Sequence, residues 1–421
     1  MAQDSNLTTL AGMFKYIFGD GVINAIPSSA KLLKAIPFEK ADQLGRSFIF
    51  PVVVGDEQGV TYNTDGTAFA INPGVSMQTA EASVTGSEIL MTGTISYSAV
   101  ESGVTNKQSF ANTIALKTGR LIESHTRNAE RQLLYGGVGL ARVTAKTNNS
   151  ATSETVTVTT AEWSTGLWVG SIGMKIQFYA NDNSTLISSG ADSVFSITSI
   201  DAANRKITVS GTSTGITALD GGTYTGGGLY IYAYGAKGKE MYGLKKIMTT
   251  SGSIFGIDNS VYDLWAANSE TITGALDFTK IQNSLTNAVA KGLDEDVTVY
   301  ISPQQWNVLA NDAASLRRLD SSFKSGKYVN GTSELEFYSS NGKLKIEAHP
   351  MCKNGDLFIV PLKYFKRIGA KDISMQPLGE KNQYVKHMEG YAGYEYRTYS
   401  NFAIIGEQPA RCVYVSGFTT S

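Results

Sequence analysis

Apolar residues recur along this chain with more than one spacing, and each spacing predicts its own kind of element. Residues 7–36 read as two short helices broken at Gly19-Asp20-Gly21, the second opened by Pro27-Ser28-Ser29 and stopped by Pro37. From Ser47 the period becomes two. Phe48-Ile49-Phe50-Pro51-Val52-Val53-Val54 predicts a strand, residues 55–59 a turn, and residues 83–98 a second β segment. The stretch 62–75 between them is polar, contains glycine and lacks a helical period, which predicts a long two-stranded loop projecting from a body. Such a projection has no core of its own and needs a partner surface to stay ordered.

The clearest helix spans residues 106–135. Phe110, Ile114, Leu121, His125, Ala129 and Leu133 fall largely at steps of three and four and define one face. Some thirty residues at 1.5 Å each make it about 45 Å long, and Gly136-Gly137 ends it. Its other faces carry Lys107, Lys117, Arg120, Arg127 and Arg131 against Glu123 and Glu130, so the helix is locally basic.

Residues 141–239 change character. Thr155-Val156-Thr157-Val158-Thr159 alternates strictly, and residues 175–179, 193–197 and 206–209 are β in pattern, with Asp201-Ala202-Ala203-Asn204 as a hairpin turn. This predicts a separate small antiparallel barrel or sandwich. From Gly243 the pattern mixes α and β. Residues 278–293 predict an amphipathic helix, 297–301 a buried strand, and 303–319 a helix with proline in its first turn. Strands follow at 343–348, announced by Asn341-Gly342, and at 356–360. The tail predicts strands at 391–399, 402–405 and 411–415.

Composition narrows the reading. The 421 residues are 42% hydrophobic, enough for buried cores, but only 17% charged against roughly 25% in ordinary soluble chains. Glycine (43) and tyrosine (21) fill the gap, leaving a weakly charged surface suited to packing against other chains. A net charge of −1 gives no global basic field, which excludes a nucleic-acid condenser. Cys352 and Cys412 are the only cysteines, too few for a disulfide framework and in keeping with a reducing cytoplasm. No apolar run is long enough to span a membrane, and the start of the chain does not read as a secretory signal.

Catalytic constellations are missing from the pattern. His125 lies on the apolar side of the long helix and reads as a core or interface residue. His349 and Cys352 have an H-x-x-C spacing without a second pair, Asp294-Glu295-Asp296 reads as solvated turn acids, and Asn181-Asp182-Asn183-Ser184 as a turn. Gly136-Gly137-Val138-Gly139 follows a helix instead of preceding one, the wrong context for a phosphate cradle. Trp163, Trp168, Trp265 and Trp306 read as core anchors. No nucleophile, base and orienting acid can be assembled, so no enzyme, metal or cofactor is expected.

The order of elements nevertheless resembles a known family. An arm leading through Lys34-Ala35-Ile36-Pro37-Phe38 to the strand Phe48-Ile49-Phe50-Pro51, a loop over 55–93, a helix over 106–135, then Gly243-Leu244-Lys245-Lys246-Ile247, residues 300–306 and Tyr394-Glu395-Tyr396-Arg397 to Pro409, is similar to the major capsid protein of tailed bacteriophages. The resemblance implies an α+β, Hong Kong 97-like capsid fold. Residues 1–46 would be the N-terminal arm, 47–103 the extended β-loop, 104–140 the spine helix of the peripheral domain, and 141–239 an inserted small all-β domain. Residues 240–360 would be the axial α/β domain and 361–421 the closing strands of the peripheral domain.

It also implies partners: the chain itself, as hexamers and pentamers of an icosahedral head shell assembled in the bacterial host cytoplasm. A separate scaffolding protein, a portal, a decoration protein and packaged double-stranded DNA bound without sequence preference complete the set, with no membrane. Some family members cross-link through a lysine of the extended loop; none occurs here over residues 41–106, so the shell is expected not to be cross-linked. Between Ser47 and Gly103 the charges are all acidic, and Asp56, Glu57, Asp65, Glu81 and Glu88 are the expected loop contacts to a neighbour. Lys117, Arg120, Arg127 and Arg131 of the basic helix are the expected receiving set. The alternatives are an encapsulin-like compartment shell with protein cargo, and a tail or surface-binding protein using the 141–239 domain.

Overall fold

A computed structural model describes residues 30–40, 47–98, 113–221, 228–317, 335–339, 342–376, 385–388 and 390–419. The expected first helix, the opening Pro27-Ser28-Ser29 of the second, the residues before Thr113 in the long helix, and the turn residues Ser340 and Asn341 lie outside them. In chain order the structure opens with helix α1 (Lys31–Ala35) and strands β1 (Phe38–Lys40), β2 (Phe48–Gly55), β3 (Gln78–Val84) and β4 (Ser87–Ser96), followed by the long helix α2 (Thr113–Tyr135). Strands β5 (Ala141–Ser150), β6 (Ser153–Val158), β7 (Lys175–Tyr179), β8 (Phe195–Asp201), β9 (Lys206–Ser210) and β10 (Tyr230–Ala233) come next. The rest alternates. It comprises β11 (Ser253–Ile254), β12 (Ile257–Asp258), β13 (Asn268–Thr271), α3 (Phe278–Ser284), α4 (Thr286–Ala290), β14 (Val297–Ile301) and α5 (Pro303–Arg317). Strands β15 (Leu335–Ser339), β16 (Gly342–Ala348), β17 (Leu357–Val360), β18 (Phe365–Gln376), β19 (Val385–His387), β20 (Gly393–Gly406) and β21 (Val413–Ser416) complete it.

The described residues fall into two compact units, one of Leu90–His125 and Ile373–Tyr399, the other of Ser29–Ile89, Thr126–Asp372 and Ser400–Ser421. In the smaller unit β19 pairs antiparallel with β20, Val385 facing Tyr396. Gly93 of β4 lies so close to the Tyr396 ring that a Cβ there would sit 2.5 Å from it. Tyr97, Tyr394 and His387 form an aromatic cluster, and the buried His125 ring bonds Thr398 Oγ1 through Nδ1 at 2.9 Å.

The larger unit holds three sheets' worth of core. β5 to β10 close into a six-stranded barrel in the order β10-β5-β6-β9-β8-β7, which removes every free edge. Its alternation fills the interior with Val143, Val156, Val158, Ile176, Phe178, Phe195, Ile197, Ile207, Val209 and Ile231. The β8–β9 turn is tied by Asp201 Oδ1, which accepts from the Ala203 and Asn204 amides. A mixed six-stranded sheet, β13-β21-β17-β14-β16-β15, carries α3, α4 and α5 on an apolar core that includes Ile281, Leu285, Val299, Leu309, Ile346 and Ile359. The third element pairs β1 in parallel with β18, Phe38 facing Arg367.

The 278–293 helix is broken in two. Asp277 caps α3 by accepting from the Lys280 amide at 2.8 Å, and after Leu285 the chain restarts as α4 and ends before Gly292, whose φ is +93°. Ser400 and Asn401, expected to separate two tail strands, lie inside the continuous β20, where Ser400 is fully buried. A hairpin joins β15 to β16 at the expected place, but Gly342 is its first paired strand residue, facing Ser339 at φ +129°.

Candidate functional site

β2 and β3 form an antiparallel ribbon, Phe48 facing Val84 and Val53 facing Thr79, whose 22-residue connection carries only one further bridge, Gln58 to Val75. At its root the ribbon is held to the body by the Ser83 amide on the Phe255 carbonyl (2.7 Å) and by the Phe50 and Trp265 rings. Beyond the root it covers nothing: from Asp56 to Met77 every side chain but that of Thr61 is exposed. Local hydrogen bonds shape the tip, the Asn63 amide to Thr67 and the Asn72 amide nitrogen to Val60 and its backbone N–H to Thr61. What it presents is apolar. Tyr62 is 90% exposed, Ile71 83% and Phe69 55%, and Ile49, Val53, Val60, Val75 and Met77 are exposed beside them. An exposed apolar display of this kind marks an interaction surface. The sequence pattern gave the projection but classed it as polar, because its apolar residues are too sparse to form a period.

The five acidic residues expected at a contact, Asp56, Glu57, Asp65, Glu81 and Glu88, are all exposed; the Asn401 side chain donates to Glu88 at 3.3 Å. The basic helix divides. Lys117 is exposed and its ammonium reaches the Thr94 carbonyl at 3.4 Å, while Arg120 pairs with Glu123 at 3.1 Å on the same helix face. Arg127 and Arg131 turn inward instead. Arg127 donates to the Val169 carbonyl, and Arg131 is buried, donating to the Leu167 carbonyl, Ser171 Oγ and Asn128 Oδ1. Burial, with the Arg127 charge adding to it, lowers the Arg131 pKa to about 9, which still leaves it charged at neutral pH. These two arginines fasten the helix to the loop between β6 and β7, so within this chain their guanidinium groups are already engaged. The long basic side chains reach polar carbonyls that only the folded loop supplies, so charge on a helical wheel could not assign them to the surface.

The remaining titratable groups are structural. Asp294, Glu295 and Asp296 are not merely solvated: Arg411 binds the first two at 3.3 and 3.0 Å, Tyr364 donates to Glu295, and Asp296 accepts from the Lys343 amide at 2.8 Å. Asp182 closes the 181–184 turn by accepting from Ser184, the Thr185 amide and the Thr185 hydroxyl, which holds its carboxyl down at about 2. A buried ion cluster joins the barrel to the mixed sheet. Lys353 and Lys245 both reach Glu162, and Lys245 also binds Asp356 at 3.0 Å. Burial alone would raise the Glu162 carboxyl, but the two ammonium groups outweigh it and hold it at about 2. Among the described residues no group of three or more His, Cys, Asp or Glu is placed to hold a metal ion. His349 meets Glu130 (2.8 Å), and Cys352 is buried and lifted well above the ordinary thiol range by that burial. No described helix is long and apolar enough to cross a membrane.

The fold of this α+β chain, with its apolar-tipped ribbon and long helix, is that of a phage capsid protein. The capsid asymmetric unit of cyanophage A-1(L) superposes with a TM-score of 0.59 at 9% identity, covering 99% of this chain and 100% of that one. The capsid of a native GTA particle gives 0.49 at 8% identity (99% and 100%), and a structure of Mycobacterium phage Bobi 0.49 at 10% (100% of both chains). No family model and no curated protein matches the sequence. The likeness therefore lives in the backbone.

Proposed function

We propose that this chain is the major capsid protein of a tailed bacteriophage, self-assembling as hexamers and pentamers into the icosahedral head shell around double-stranded DNA. The observation that carries the reading is the β2–β3 ribbon, which exposes Tyr62, Phe69 and Ile71 far from any core of its own. Burying each such side chain on a neighbour is worth about 1.5–3 kcal/mol before the entropy of association, and symmetry repeats it around every capsomer. The fold shared with the cyanophage capsid chain supports the same reading.

In this scheme residues 1–46 are the arm, 47–103 the extended loop laid over the adjacent subunit, 104–140 the spine, 240–360 the axial domain and 361–421 the closing strands. The β5–β10 barrel, within 141–239, is an insertion on the Hong Kong 97-like plan, placed to strengthen contacts or meet a decoration protein. Asp56, Glu57, Asp65, Glu81 and Glu88 set the register of the loop, with Lys117 and Arg120 as the remaining helical candidates for its partner. Scaffold, portal and packaged DNA are the other partners, and the product is a virion shell without covalent cross-links, assembled in the host cytoplasm.

The test is negative-stain electron microscopy with light-scattering mass on the protein expressed alone and with its neighbouring genes. Closed shells or capsomers are expected, and Y62S/F69S/I71S should leave a folded protein that does not assemble. A wild-type chain that stays monomeric or trimeric in both settings refutes the reading.

A further inference from the structure

The buried ionic groups of the larger unit mostly pair cation with anion, but one carboxylate does something else. Glu130, on α2 and wholly buried, accepts the backbone N–H of Leu32 at 2.7 Å on Oε1 and that of Leu33 at 2.9 Å on Oε2. Those two amides belong to the first turn of α1, whose N-terminal N–H groups have no partner within the helix. Ala30, at the N-cap position, has no side-chain oxygen to offer them. The cap is supplied from a residue about a hundred positions along the chain. His349 completes the seat: its Nδ1 accepts from the Met351 amide at 3.2 Å, so the proton sits on Nε2, which donates to Glu130 Oε1 at 2.8 Å.

The segment beyond is fixed by backbone contacts as well. Lys31 reaches the Ala348 carbonyl at 2.7 Å, Arg367 Nε donates to the Ile36 carbonyl at 3.0 Å, and the Arg367 amide donates to the Pro37 carbonyl at 2.8 Å. Leu32 and Ile36 are buried beneath. Nearly all of this hold is on main-chain atoms, so it defines where the chain is gripped while leaving the residues upstream of Ala30 unconstrained in sequence.

We propose that Glu130, oriented by His349, is the positioning residue of the N-terminal arm: a latch that grips its root at Leu32-Leu33 and sets the place of α1 on the body. The role in assembly rests on the capsid reading above; the grip itself does not. An acceptor-only group is required here, since both amides point at it. A glutamine of the same size would turn an N–H₂ toward one of those N–H groups.

The test is limited trypsinolysis of the full chain, with cleavage after Lys31 and Lys34 followed by mass spectrometry, for wild type, E130Q and H349A. Losing charge-assisted bonds at the root should speed these two cuts about tenfold or more in E130Q. Cuts within the barrel, after Lys175 and Lys206, should keep their wild-type rates. H349A, which leaves both amide bonds in place, should give a smaller rise. Wild-type protection of Lys31 and Lys34 in E130Q overturns the proposal. So does a uniform loss of protection across the barrel, which marks Glu130 as a general core residue. Shell yield is then measured on the same proteins. A freed root with fewer shells is expected, and a freed root with undiminished shells overturns the positioning role. If wild type itself forms no shells the capsid reading fails, while the cleavage pattern still decides the latch.

Discussion

Glu154 is the place where the barrel works against itself. It lies on β6, one step before the inward-facing Val156 and Val158, and both carboxylate oxygens are buried without a hydrogen-bond partner. Loss of water raises its pKa from 4.5 to about 7; Lys146 pulls it back down and Asp220 adds to the rise. The folded chain thus keeps this proton up to about pH 7, whereas the unfolded chain releases it near 4.5. Stability is full below about pH 4.5, declines as pH rises towards 7, and stays at the lower value above. At about 1.4 kcal/mol for each tenfold change, the decline has a ceiling of about 3 kcal/mol, and relaxation of the chain and water around the buried charge brings the expectation to about 1–2 kcal/mol. E154Q removes the titration while keeping the shape. Thermal or urea unfolding of the barrel, followed by near-ultraviolet circular dichroism at pH 5 and pH 8, should show wild type losing stability between the two and E154Q losing little. At pH 8 the variant should be the more stable by about 1–2 kcal/mol. An E154Q barrel that is less stable at pH 8, or that keeps the wild-type pH dependence, refutes the reasoning.

Glu162 predicts the opposite slope: held at about 2 between Lys353 and Lys245, it contributes stability that is present above about pH 4.5 and fades as pH falls towards 2. E162Q should cost about 3 kcal/mol at pH 7 by leaving the buried Lys353 without its anion, and acid titration of the unfolding midpoint should lose its steepest limb. Gly136 ends α2 where a Cβ would lie 2.2 Å from the Met241 carbonyl oxygen, so G136A should destabilise by about 2 kcal/mol or more in urea unfolding. Phe178 and Phe195 meet edge to face at 5.1 Å inside the barrel, and F178A should lower barrel stability by about 3–5 kcal/mol in the same assay. Cys352 and Cys412 are both fully buried with thiols pushed up by that burial, so neither should react with a thiol reagent at pH 8 until the chain is unfolded.

Short-range chemistry was legible in the sequence wherever a few neighbouring residues decide the outcome. The Thr-Val alternation at 155–158 can bury only one face and becomes β6, and Gly136-Gly137 must end a helix. The order of these elements also carried the resemblance to a capsid chain that the backbone comparison bears out. Tertiary structure decided what depends on residues far apart in the chain. Arg127 and Arg131 look like surface charge until the loop between β6 and β7 brings carbonyls to them. Leu285 interrupts a helix that its own periodicity would continue, and Ser400 sits in a strand because its neighbours bury it. Tyr62, Phe69 and Ile71 have the composition of core residues, and only the extension of β2 and β3 past the body leaves them in water. Glu130 reads as one more acid on a basic helix, and it becomes the cap of α1 because folding delivers two orphan amides to a carboxylate that has no water to turn to.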